Sequence, residues 1–250
     1  MPPETLYRRP LPAGLVAFSA PEGRALLREA LDAGTAEAFF PLMSHLHTQG
    51  EPAWCGLGTL VTVLNALEID PGRAWKGPWR WFGEELLDCC KSLDAARAEG
   101  LTLDELACLA RCNGAATRVR IARPDSAARF RADLEASVRA PAGPFIVCNY
   151  ARGALGQTGD GHFSPLAAWH PGRDLALVLD VARFKYPPHW APVDQLLAAM
   201  AGEDPATGQA RGWAVMERPE TAPEVDPEEL EALTARLSAL GADTSRCRIF

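Results

Sequence analysis

No stretch of this 250-residue chain is apolar for long enough to cross a bilayer, and its first ten residues, Met-Pro-Pro-Glu-Thr-Leu-Tyr-Arg-Arg-Pro, hold no apolar segment of signal-peptide length. Lys and Arg form no long block, and the formal charge is −7, so the electrostatic footprint needed for nucleic acid or an anionic membrane is missing. The expected location is the cytoplasm, with neither nucleic acid nor membrane as partner. Seven cysteines, an odd number with no secretion signal, argue for reduced thiols in catalytic or metal roles rather than a disulfide framework. What is present is 48% hydrophobic residues, enough to bury a sizeable core as one large domain or one domain with an appendage.

The most informative stretch runs from Thr48 to Thr59. A helix beginning near Pro52 would bring unpaired N–H groups and the positive end of its dipole close to Cys55, which favours thiolate over thiol. Leu57, Leu60, Val61, Val63, Leu64, Ala66 and Leu67 make that helix apolar almost all round, as in a central buried helix, and Asp70-Pro71-Gly72 ends it. Gln49, six residues before the cysteine, is placed to aim an amide donor at the oxyanion formed when a thiolate attacks a carbonyl. An inert core thiol is the alternative, and only a base elsewhere in the chain decides between them.

Helices are predicted after Ser19 and Glu22 up to Gly34, from Phe82 to Cys90, from Thr102 to Asn113, from Ser126 to Val138, and at Asp194–Ala201. His45 and His47 share a metal only on a strand, and no further ligand lies nearby. The run Trp75 to Trp81 holds three indoles, suited to walling a pocket or covering the central helix. Cys89-Cys90 closes one predicted helix, and Cys108 and Cys112 share a face of the next. Packing is the preferred reading of these four, and a soft-metal site the alternative, since the pairs lack zinc-knuckle spacing.

From Phe145 the periodicity changes. Phe145–Tyr150, His162–Trp169 and Leu175–Val181 read as strands, with Pro171-Gly172 as a hairpin turn, and a fourth is expected at Trp213–Met216. The expectation is an α+β fold, a helical half packed on an antiparallel half. His162 and Asp180 fall where a hairpin sets them side by side, the geometry of a base and its orienter. Gly202 to Gly212 reads as a polar loop and Glu217 to Val225 as a linker. A last helix is expected after Asp226-Pro-Glu-Glu229, with Leu230, Leu233, Leu237 and Leu240 as its stripe.

Cys55, His162 and Asp180 follow the chain order of papain. The segments Thr-Gln-Gly-Glu-Pro-Ala-Trp-Cys-Gly, Leu-Ala-Cys-Leu-Ala-Arg-Cys-Asn-Gly, Gly-His-Phe-Ser-Pro and Leu-Asp-Val-Ala-Arg-Phe-Lys-Tyr-Pro-Pro-His-Trp closely resemble the phytochelatin synthase catalytic domain, roughly from Leu6 to Arg218. The resemblance implies a papain-like catalytic domain over 1–218, with 219–250 as linker and C-terminal amphipathic helix. It implies a transpeptidase in which Cys55 takes γ-glutamylcysteine from glutathione as a thioester, His162 moves the proton, Asp180 orients the imidazole and Gln49 stabilises the oxyanion. The acyl group then passes to a second glutathione or a growing phytochelatin, presented as a thiolate of a heavy-metal ion such as cadmium or zinc, with no organic cofactor. Asp204 and Arg211 match a clamp for the γ-glutamyl group, and a homodimer is implied. Arg152, Arg183 and Lys185 are the basic residues near His162 and Asp180 in sequence, and so the candidates for holding an anionic acceptor.

Three departures from the plant pattern stand out: Gly50 for serine, Trp54 for a tyrosine, and no long cysteine-rich C-terminal domain, so that the chain is either naturally short or a piece. Two alternatives stay open. One is a peptidase of glutathione or its S-conjugates with the same triad. The other is a non-catalytic soft-metal module built on Cys89, Cys90, Cys108 and Cys112.

Overall fold

The computed structural model describes residues 8–219. In chain order the elements are β1 (Val16–Ala17), α1 (Pro21–Asp32), α2 (Phe39–Ser44), α3 (Cys55–Ala66), α4 (Leu93–Glu99), α5 (Leu103–Cys112), β2 (Ala116–Ile121) and α6 (Ala127–Val138). There follow β3 (Phe145–Ala151), β4 (Gly161–His170), β5 (Leu175–Val178), β6 (His189–Pro192), α7 (Val193–Ala201), β7 (Glu203–Asp204), β8 (Gln209–Ala210) and β9 (Gly212–Glu217). The expected helix from Asp226 and most of the expected linker lie outside the described residues.

All twelve residues of α3 are buried, as its all-round apolar character requires. It starts at Cys55 rather than near Pro52, because residues 51–54 close a turn in which Trp54 N donates to Glu51 O at 3.0 Å. Cys55 is therefore the first helical residue. On the opposite flank, β1-β6-β5-β4-β3-β9-β2 form one seven-stranded sheet whose neighbours all pair antiparallel. Alternation along β3 divides its side chains between two cores. Phe145 and Val147 join the cluster containing α3 and α5, whereas Ile146, Cys148 and Tyr150 join the cluster with Phe130 of α6 and Leu196 of α7. The expected α+β arrangement is what the chain adopts.

Some elements depart from the sequence reading. Phe82–Cys90 is not a helix but holds a single 3₁₀ turn at Glu84–Leu86. Asn65 on α3 grips the Phe82 backbone, donating from Nδ2 to its carbonyl at 3.0 Å and accepting its N–H at 3.1 Å. Those peptide groups are thereby committed to a side chain rather than to a helix. Helix α4, capped by Ser92, and strands β2 and β6 were not foreseen. The alternation Thr117-Arg-Val-Arg-Ile121 carried a legible strand signal for β2. The tryptophan loop walls a pocket rather than covering α3: Trp79 and Trp81 are exposed, Trp81 lines a pocket with His45 and Asn65, and Trp75 Nε1 donates to Glu85 Oε1 at 2.6 Å.

The cysteines are the largest correction. Cys89 is bonded to Cys112 and Cys90 to Cys108, so these four are neither reduced thiols nor simple packing. The adjacent pair lies opposite the i, i+4 face of α5, at Cα separations of 6.7 and 6.2 Å that permit a bridge. Among the described residues, Cys55 and Cys148 are free thiols, and both are buried.

Candidate active site

Two segments from opposite halves of the chain meet at the N-terminal end of α3. Gln49 N donates to Val181 O at 3.1 Å, tying the loop before Cys55 to the loop that carries Asp180. Leu179 N donates to Pro165 O at 3.1 Å, extending the β4–β5 pairing past the last residue of β5. Asp180 thus reaches His162, whose Nε2–H donates to Asp180 Oδ1 at 2.9 Å. With that proton on Nε2, Nδ1 is left as the basic ring nitrogen. The Tyr150 ring stands edge-on to the imidazole at 5.7 Å.

Cys55, His162 and Gln49 line one cleft of about 670 Å³. Burial pushes the Cys55 thiol up, opposed by hydrogen bonds from the Phe163 and Gly56 backbone and by the charge of Arg152. Burial also lowers His162 to about 4. Burial thus favours the neutral thiol and the neutral imidazole, against the preference for thiolate expected at a helix terminus. Asp180 stays ionised: although burial opposes its charge, His162 and Arg152 hold its carboxyl far below the usual range. For a neutral thiol in such an arrangement to attack an electrophile, its proton must pass to a base, and His162 Nδ1 is the ring nitrogen able to take it.

Gln49 is buried, and its Nε2 donates to Glu51 O at 2.8 Å and Pro52 O at 2.9 Å while Oε1 has no partner. Gln49 lines the cleft, but both of its amide donors are committed to the turn before Cys55, which leaves none directed at an oxyanion in this state. Glu84 holds the same turn, both its carboxylate oxygens accepting from Gly50 N, at 3.1 and 3.0 Å. A β-carbon at Gly50 would lie 2.7 Å from Glu84 Oε2, so a serine there requires that carboxylate to shift.

The other candidates separate in space. Asp204 and Arg211 both line the cleft and face one another at 3.5 Å; Arg211 is buried, and its Nε has no partner. Lys185 also lines it, donating from Nζ to Thr158 O at 2.5 Å. Arg183 is not part of the cleft wall and points to Thr48 Oγ1 at 3.4 Å. Arg152 also lines the cleft; it is buried rather than a solvated surface charge, with Nη2 donating to Asp180 Oδ1 at 2.8 Å. His45 and His47 share no partner: His45 Nδ1 lies 2.7 Å from Pro41 O, and His47 Nε2 lies 3.5 Å from Glu84.

Sequence reasoning missed Asn149 and Lys91, both on the cleft wall. Asn149 sits at an alternation position of β3 and its buried Oδ1 is unpaired. Lys91 follows the cysteine pair and is held by Glu105 at 3.0 Å and Glu99 at 3.2 Å. Away from the cleft's nucleophile, the sulfurs of Cys89, Cys90 and Cys112 lie within 4.8 Å of one another. That donor set suits a soft ion only as thiolates, which the two disulfides preclude in this state.

A family model described as phytochelatin synthase matches residues 6–213. Glutathione gamma-glutamylcysteinyltransferase 3 of Lotus japonicus is 48% identical over 221 residues, 88% of this chain and 46% of that protein. Glutathione gamma-glutamylcysteinyltransferase 1 of Arabidopsis thaliana is 47% identical, over 88% of this chain and 45% of that protein. The enzyme of the same name from Schizosaccharomyces pombe is 42% identical, over 86% and 51%. The chain thus spans about half the length of the curated relatives it matches. A solved double glycine motif protease from an AMS/PCAT transporter, in complex with its leader peptide, aligns with a TM-score of 0.42 at 14% identity, covering 70% of this chain and 91% of that one, a likeness too weak to add weight. From the family match across most of its length and from relatives at this identity, the chain belongs to the phytochelatin synthase family.

Proposed function

We propose that this chain is a γ-glutamylcysteinyl transferase that draws its acyl group from glutathione. The observation that carries the reading is the convergence of Cys55, His162 and Asp180, with Cys55 at the start of α3 and His162 bonded to Asp180 on the same cleft. His162 Nδ1 takes the Cys55 proton as Sγ attacks the carbonyl between cysteine and glycine. The imidazolium gives that proton to the glycine nitrogen, the C–N bond breaks, and glycine leaves. A γ-glutamylcysteinyl thioester remains on Cys55. The amine of a second glutathione or of a growing phytochelatin then loses a proton to His162 and attacks the thioester, restoring the thiol.

Asp204 and Arg211 suit the α-ammonium and α-carboxylate of the γ-glutamyl group, a role supported by the unpaired, buried Arg211 Nε on the cleft wall. Lys185 and Lys91 supply positive charge for an anionic acceptor. Heavy-metal ions, cadmium or zinc, enter as glutathione thiolates and so as part of the substrate. A soft ion at Cys89, Cys90, Cys108 and Cys112 requires those bridges to be reduced; thiolate-to-cadmium absorption in reduced Cys55→Ser protein tests it. A homodimer belongs to this reading through family resemblance, and a cytoplasmic location through the sequence expectation alone.

The test is incubation with glutathione and cadmium followed by mass analysis. Oligomers of γ-glutamylcysteine with released glycine are expected, and unchanged glutathione with Cys55→Ser. Free γ-glutamylcysteine with no longer product would replace transfer by hydrolysis.

A further inference from the structure

Behind the cleft, a run of buried polar side chains continues away from His162 and ends on a backbone carbonyl. His189, fully buried on β6, donates from Nδ1 to Pro187 O at 2.9 Å, which leaves its Nε2 as an acceptor. That Nε2 accepts from Gln157 Nε2 at 3.2 Å. The Gln157 amide is thereby oriented with Oε1 towards Arg152, whose Nη1 donates to it at 2.7 Å. Arg152 Nη2 in turn donates to Asp180 Oδ1, which also accepts from His162 Nε2 and from Ala182 N at 2.9 Å. Arg152 Nη2 and His162 Nε2 lie 2.8 Å apart as two donors about this shared oxygen. The guanidinium is further fixed over the Tyr186 ring at 5.3 Å.

Each link in this series has one polarity. A carbonyl can only accept, so Pro187 assigns the His189 tautomer; His189 assigns the Gln157 amide; and Gln157 assigns the Arg152 donors. Arg152, Gln157 and His189 are all buried, where an unmade hydrogen bond is costly and the network is correspondingly rigid. Burial also keeps His189 below the ordinary histidine range, consistent with a neutral acceptor.

We infer that His189 and Gln157 are positioning residues for the transferase reaction, acting through Arg152 to hold the Asp180 carboxylate on His162. Arg152 neutralises and steers Asp180 through the bond from Nη2 to Oδ1. The inference rests on the reading of Cys55, His162 and Asp180 as the reacting set.

The test is single-turnover release of glycine from glutathione, measured against pH for the parent, Gln157→Leu, His189→Leu, His189→Gln and Cys55→Ser, with a melting curve for each. Gln157→Leu and His189→Leu are expected to lower the rate about 10- to 100-fold with glutathione KM within about twofold, since a misplaced general base slows chemistry without loosening substrate. Their acid limb moves to higher pH, because a carboxylate no longer neutralised by a held Arg152 favours protonated His162. His189→Gln, whose side-chain oxygen can accept from Gln157, recovers most of the rate. Variants that melt earlier while keeping the parent rate and acid limb would overturn the inference, as would His189→Gln behaving like His189→Leu. Glycine release absent from the parent, or unimpaired in Cys55→Ser, would overturn the reading of the site itself and the inference with it.

Discussion

Asp180 bears its hydrogen bonds unevenly: Oδ1 accepts from Arg152, His162 and Ala182, and Oδ2 from nothing. Two substitutions at this residue should therefore fail differently. Asp180→Asn can keep the Oδ1 bonds but loses the charge that balances buried Arg152 and sets a buried amide N–H pair at the partnerless Oδ2 position, so acylation should slow at least about 10-fold in single-turnover assays and the melting temperature should fall, less than for Asp180→Ala. Asp180→Ala strands the buried Arg152 cation and should cost about 3–5 kcal/mol of stability, read as a large fall in melting temperature. At the other end of the cleft, Arg211→Lys retains charge but not the planar fork. Glutathione KM should rise about tenfold with kcat less affected, if the γ-glutamyl end binds there.

At the scale of elements, the site depends on how closely α5, β2 and β9 are locked behind it. Thr102 caps α5, accepting from Glu105 N at 3.2 Å, while Glu105 accepts from Thr102 N at 2.7 Å and also holds Lys91 on the cleft wall. Thr102→Ala should cost about 1 kcal/mol in denaturant unfolding. In β9, a β-carbon at Gly212 would sit 1.9 Å from Arg120 O on β2, so only glycine allows that approach. Gly212→Ala should displace β9 and the neighbouring Arg211, costing several-fold more stability than Gly208→Ala. At Gly208 nothing is near, and the positive φ of 65° alone sets a cost of about 1 kcal/mol. The two melting curves compared side by side check this.

For the whole molecule, the buried network makes stability depend on pH in one direction. His162, at about 4, and His189 both sit below the unfolded histidine value near 6.5, so acid protonates the unfolded chain first. Stability should be level between about pH 7 and 8 and fall as pH drops from about 6.5 towards 4, by roughly 3 kcal/mol for His162 alone. Asp180 adds a further loss below about pH 4, because its depressed pKa stabilises the fold only while the unfolded carboxylate is ionised. Melting temperatures across pH 4 to 8 check the slope, and His189→Gln should flatten it by removing one of the titrating groups.

The sequence by itself determined the buried α3, the strands carrying His162 and the approach to Asp180, and the capping box of α5. Each of these rests on a local signal: apolar periodicity, a turn, or a motif within a few residues. Only the tertiary structure decided how deeply Cys55 is buried, and with it the direction in which burial pushes its thiol. It also decided that Arg152 lies beneath Asp180, that Arg183 lies off the cleft, and that four cysteines pair as two bridges. Those outcomes turn on distances between segments far apart in the chain. His189 and Gln157, 32 residues apart, become hydrogen-bond partners only when β6 and the turn after β3 are packed together.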